Sequence, residues 1–120
     1  PNNFSSSIQY ETQGETIILL EKNPNINREI IFNFEPKKAE IMQFMQYLKI
    51  RYKLKSYNNE TWSYSSPEIP LSQINSYSID LKDFEDNEKI VVLVQFIAPQ
   101  SYSIRRGVYE GEFSLKIQKK

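Results

Sequence analysis

From Lys89 to Pro99 the chain reads Lys-Ile-Val-Val-Leu-Val-Gln-Phe-Ile-Ala-Pro, apolar almost without a break and rich in β-branched residues. Such a run predicts a strand buried on both faces. After a polar break, Gly107 to Ile117 alternates. Tyr109, Gly111, Phe113, Leu115 and Ile117 fall on one face, and Glu110, Glu112, Ser114 and Lys116 on the other. Period two is the signature of a half-buried strand. Phe113 and Leu115 are then expected inside, Phe113 against the 90–97 strand, with Gly111 marking a bulge or the close approach of a large ring.

The same pattern recurs upstream. Phe4, Ser6, Ile8, Tyr10 and Thr12 alternate as a strand does, Gln13-Gly14 reads as a turn, and Glu15 to Lys22 reads as a second strand around Ile17-Ile-Leu-Leu20. Asn23-Pro24-Asn25 breaks it, because Pro lacks an N–H and Asn tolerates turn geometry. Glu29 to Glu35 alternates Ile30, Phe32 and Phe34 before Pro36 ends it. Lys37 to Tyr47 fits two periods: Ala39, Ile41, Met42, Met45 and Leu48 suit a helical face, while Met42, Phe44, Leu48, Ile50, Tyr52 and Leu54 suit a strand. A short helical turn or loop near 37–41, then strand into Ser56, reconciles them. From Leu48 to Lys55 the alternation is faultless, so Leu48, Ile50, Tyr52 and Leu54 are expected inside, with Lys49, Arg51, Lys53 and Lys55 outside.

Tyr57 to Glu60 is a turn, Thr61 to Ser65 places Trp62 and Tyr64 on one side, and Ser66 to Ser76, holding Pro67 and Pro70, is a connecting loop or short edge segment. Ser76 to Leu81 alternates Tyr77, Ile79 and Leu81, and Asp83 to Glu88 is an acidic turn. Seven to eight short strands at about ten-residue spacing, with no repeat and no linker, predict one all-β domain over residues 1–120. The expected architecture is an antiparallel, immunoglobulin-like β-sandwich with room for one short helix. It lacks the Cys-Trp-Cys signature of antibody domains. Residues 1–7, polar and serine-rich, form either a loose end or a terminal strand that can be exchanged.

Composition removes several functions. Fifteen basic and fifteen acidic residues cancel, so no global field steers the chain toward nucleic acid or anionic lipid. There is no His to act as a base near neutrality and no Cys for thiolate chemistry, disulfides or sulfur-bound zinc. Absence of Cys suits a reducing cytosol as well as a bacterial surface protein that folds without disulfides. No run approaches the roughly 18 apolar residues of a membrane span, so no membrane insertion is expected. The chain opens on Pro1 with no leader-like stretch, as a processed chain or an excised domain would.

Four constellations carry candidate chemistry. Glu110 and Glu112 would lie about 7 Å apart on one strand face, near glycosidase spacing, but they also occupy positions that need only face water. Asp80, Asp83, Glu85, Asp86 and Glu88 are hard oxygen ligands suited to Ca²⁺, yet without the spacing or central Gly of an EF-hand, and a solvated acidic turn explains them equally. The cations from Lys49 to Lys55, with Tyr47 and Tyr57 at either end, could track phosphates, or simply be a solvent face that blunts an edge. Trp62 and Tyr64 sit in a serine-rich loop near turns, where they could stack on a sugar or anchor a peptide; alternatively Trp62 plugs the core. Asn3-Phe4-Ser5 and Asn59-Glu60-Thr61 match the glycosylation acceptor pattern, which arises easily in an Asn-rich chain.

The ending, Ile104-Arg-Arg-Gly107-Val-Tyr109-Glu-Gly111-Glu-Phe113-Ser-Leu115-Lys-Ile117, resembles the last strand of bacterial surface β-sandwiches such as pilus subunits and spore-coat-U-like proteins. It departs from them in having no Cys and only three Gly. The resemblance implies a cell-envelope or extracellular assembly module. The reading is therefore a non-enzymatic structural or protein-interaction domain without cofactor or metal, whose partner is another protein or a second copy of itself. Phe4, Ile8 and Tyr10 would anchor an inserted strand in a neighbour. The alternative is a module that binds a small ligand, glycan or peptide through Trp62 and Tyr64.

Overall fold

The computed structural model describes residues 3–9, 13–23, 29–36, 46–97 and 110–118; for 3–9, 13, 36 and 110–118 the description is of the backbone. Nine strands lie within these residues: β1 (Asn3–Gln9), β2 (Gln13–Glu21), β3 (Glu29–Pro36), β4 (Lys49–Ser56), β5 (Tyr64–Ser65), β6 (Ile69–Pro70), β7 (Ser78–Asp80), β8 (Lys89–Ile97) and β9 (Glu110–Gln118). A 3-10 helix spans Leu71–Ser76. All pairings are antiparallel, in two sheets ordered β1-β9-β3-β7 and β2-β8-β4-β5, with β6 also on β4.

The antiparallel sandwich follows directly from the alternation. Ile30, Phe32 and Phe34 of the first sheet and Ile18, Leu20, Ile50, Tyr52 and Leu54 of the second meet in one buried cluster with Ile90, Val92, Val94 and Phe96. Leu48, Ile50, Tyr52 and Leu54 are buried, Lys49 is exposed, and Arg51, Lys53 and Lys55 are half-buried, as long cationic side chains with apolar stems can be. On β8, Val91 and Leu93 are buried too, on the side away from the core, as the unbroken apolar run requires.

Within the sandwich class, the connectivity is a finer feature that periodicity does not carry. Immunoglobulin-type domains keep their first two strands in one sheet. Here β1 and β2 lie in different sheets, and the chain keeps crossing between layers: β1, β3, β7 and β9 in one, β2, β4, β5, β6 and β8 in the other. That interleaving is the jelly-roll order.

Local departures have identifiable causes. Gln13-Gly14 is not a turn but the start of β2, with Gly14 directly opposite Phe96 on β8. A glycine there leaves space beside a large ring. Gln46 and Tyr47 form a turn, so β4 begins at Lys49 and the period-two series from Met42 does not run unbroken into it. The short helix falls at Leu71–Ser76, where Leu71 and Ile74 are buried, in a segment read as loop or edge.

β5 and β6 are two pieces of one interrupted strand. Lys53 pairs with Ser65 but Ile50 with Ile69, so one extra residue sits between the pieces, which defines a bulge. Buried Ser66 bridges the gap: its N–H donates to the Tyr52 carbonyl at 2.9 Å, and its hydroxyl accepts the Tyr52 N–H at 2.9 Å and donates to the Pro67 carbonyl at 2.8 Å. The two edge strands on this side, β5 and β7, are two and three residues long. The sandwich is open between them.

Candidate ligand cleft

A cleft of about 370 Å³ occupies that opening, and Tyr52, Ser63, Tyr64, Asp80, Asp83 and Phe84 line it. β4 and β5 supply the tyrosines from one sheet. β7 and the turn after it supply Asp80, Asp83 and Phe84 from the other. Asp80 Oδ1 accepts the backbone N–H of Lys82 at 2.9 Å, closing an Asx turn that fixes the carboxylate at the rim. Phe84 packs half-buried against the core. Its carbonyl accepts the Lys22 ammonium, which ties this turn to the end of β2.

A relay of rings leads from the core to the cleft, which its last two members, Tyr52 and Tyr64, line. Phe32 lies 5.0 Å from Tyr52 at 43°, and Tyr52 lies 5.8 Å from Tyr64 at 39°. Exposure rises along it: Phe32 and Tyr52 are buried, while Tyr64 is 48% exposed. Tilted rings at these distances are attractive beyond their buried area. Tyr64 is thus held by Tyr52 while showing a face to solvent.

The Tyr52 hydroxyl is pushed up to about 12, first because burial penalises the phenolate, then through the charge of and hydrogen bond with Tyr64, and last through the charge of Tyr77. The folded chain holds this proton more tightly than the unfolded one. The resulting stabilisation is complete below the ordinary value of 10.0 and is lost as pH rises through 10.0 toward about 12. Stability should fall across that window, and fall less steeply in Tyr52→Phe. Parallel alkaline melts of the two proteins check this; superimposable declines would contradict it.

The residues singled out from sequence separate in space. Tyr64 lines the cleft, but Trp62, 37% exposed, instead meets Lys55, whose ammonium lies 5.2 Å from its ring centroid. Trp62 does not plug the core. Phe4 and Ile8 lie on β1, opposite Leu115 and Gly111 of β9, while Tyr10 lies outside the described residues. Phe113 is placed opposite Phe34 in the first sheet; its side chain, like those of Glu110 and Glu112, lies outside what is described.

The acidic turn is organised by its own backbone. Glu88 Oε2 accepts the Glu85 N–H at 2.8 Å, and Asn87 adopts a left-handed φ of 65°. Among the described residues no group of three or more His, Cys, Asp or Glu side chains is arranged to hold a metal ion. No helix among them is long and apolar enough to cross a membrane. Sequence reasoning missed Tyr52, Asp80 and Asp83 as one site. Tyr52 had a core parity and the acids a turn composition, and only the jelly-roll order brings β4, β5 and β7 to one opening.

No protein-family model and no curated protein sequence matches the chain. Among solved structures it is similar to TmCBM61, described in complex with β-1,4-galactotriose, at 13% identity and a TM-score of 0.44, with 97% of this chain and 70% of that one covered.

Proposed function

We propose that this domain is a non-enzymatic binding module that holds a glycan or a similar polyhydroxylated ligand in the cleft between β5 and β7. The observation that carries this reading is the half-exposed Tyr64 ring, braced by Tyr52, beside Asp80 and Asp83 in one opening. A sugar offers an apolar C–H face to an aromatic ring and hydroxyls to carboxylates, so both halves of the site have work in a single ligand. A concave site with an apolar floor and a few convergent polar groups is the general form of small-ligand sites. Calorimetric titration with a panel of neutral and acidic oligosaccharides tests it. Saturable binding of at least one neutral member is expected, and no binding across the panel would contradict the reading. A cell-envelope or extracellular setting is part of the proposal, since such ligands are displayed there.

A second reading rests on a separate observation. Among the described residues β1 is at a sheet edge and pairs on one side only, with β9 from Asn3↔Lys116 to Gln9↔Glu110. A strand so placed can leave its own sheet and complete that of a neighbour, as in pilus-like assembly. Under this reading a Ser7→Cys/Glu112→Cys disulfide, joining directly opposed positions in a chain without other cysteines, would abolish self-association by exchange. Exchange of β1 between chains that persists in the oxidised protein, read by mixing labelled and unlabelled copies, would count against it.

A further inference from the structure

The outward face of the second sheet has a charge and apolar pattern that the cleft does not use. Its rows follow from the register. Glu15, Gln95 and Arg51 form one row across β2, β8 and β4; Ile17, Leu93 and Lys53 form the next; Leu19, Val91 and Lys55 the third. Glu21 and Lys89 form the fourth. Ile17 and Leu19 are 58% and 54% exposed, although they adjoin Val91 and Leu93, which are buried yet outside the main core cluster. The first row is tied together: the Gln95 amide donates to Glu15 Oε1 at 3.0 Å and Arg51 Nε donates to Gln95 Oε1 at 3.2 Å.

The β2 side of this face therefore carries carboxylates at both ends of an exposed aliphatic pair. The β4 side carries a cation at every outward position. We infer that this face pairs with the same face of a second copy, related by a two-fold axis running parallel to β8. The half-turn lays β2 of each copy over β4 of the other and keeps every row at its own level. Glu15 of one copy then faces Arg51 of the other, and Ile17 and Leu19 lie on the aliphatic stems of Lys53 and Lys55. The valine and leucine of β8 meet their own counterparts. An axis running across the strands instead would stack β4 on β4 and oppose cation to cation, so the charges select the orientation as well as the partner. Sheets packed this way sit about 10 Å apart with strands within about 30° of each other. The interface is isologous and closes as a dimer. It is independent of the cleft, which opens on the β5/β7 side.

Sedimentation across micromolar to millimolar concentrations tests this on the whole chain. A reversible monomer–dimer equilibrium is expected for the natural sequence. Ile17→Lys/Leu19→Lys should weaken it by more than about tenfold, as should Glu15→Arg or Arg51→Glu alone. The combined Glu15→Arg/Arg51→Glu protein should dimerise better than either single variant, because the swap restores complementarity across the axis. Far-ultraviolet circular dichroism checks that each variant is folded, and Ile17 and Leu19 are exposed enough to be changed without loss of the core. The oxidised β1–β9 disulfide variant should still dimerise, which separates this association from strand exchange. A monomer at all concentrations, a dimer indifferent to the Ile17/Leu19 change, or a charge swap no better than its parts would each overturn the proposal.

Discussion

Replacing Phe96 with Ala is expected to destabilise the domain by about 3–5 kcal/mol, the range for a buried phenylalanine whose loss leaves a cavity. Phe96 is buried on β8, flanked by Gly14 on β2 and Ile50 on β4. One neighbour has no side chain to move into the space. The other already belongs to the core cluster. Collapse around the cavity is therefore restricted, which favours the upper part of the range. Domains of this kind have total stabilities of about 5–15 kcal/mol, so the variant should be marginal or unfolded at room temperature. Lys49→Ala, next to Ile50 but exposed, should change stability by less than about 0.5 kcal/mol. Urea melts of both variants check the pair, and equal midpoints would mean that β8 does not pack as described.

The second large effect concerns the cleft. Tyr64→Ala should weaken ligand binding at least about tenfold, which corresponds to about 1.4 kcal/mol. The ring is the solvent-facing end of the Phe32–Tyr52–Tyr64 relay, so it gives a ligand a surface already held in place. Its truncation should cost the fold little, since about half of the residue is exposed in the unliganded chain. Trp62→Ala serves as the comparison. Trp62 is also an exposed aromatic two residues away, but it sits on Lys55 rather than in the cleft. Binding should survive its removal. Equal losses in both variants would shift the site to the loop as a whole.

Much of this architecture was legible because each strand has one buried face and one wet face. The series Leu48, Ile50, Tyr52, Leu54 could not slip by one residue without placing four cations in the core, so parity alone set its burial. The apolar run of β8 likewise announced a central strand. The order of strands was not legible, because an alternating segment shows that one face is covered and not which sheet covers it. Gly14 shows a related limit: a glycine beside a polar residue looks like a turn until the ring opposite it is known. The cleft was half legible. Tyr64 stood out as an aromatic in a polar stretch, but Asp80 and Asp83 reach it only through contact between the two sheets. Trp62 looked equivalent to Tyr64 by spacing, and the chain near the bulge gave the two rings different surroundings.

Ligand binding between β5 and β7 can be located residue by residue. Mapping amide chemical-shift changes by heteronuclear NMR, as a binding oligosaccharide is titrated in, tests it most directly. A contiguous set of shifts is expected over Ser63, Tyr64 and Asp80 to Phe84, with Tyr52 following because its ring supports Tyr64. The outward residues of β2, including Ile17 and Leu19, should stay unmoved. Shifts centred on that outward face, with residues 80–84 silent, would contradict it.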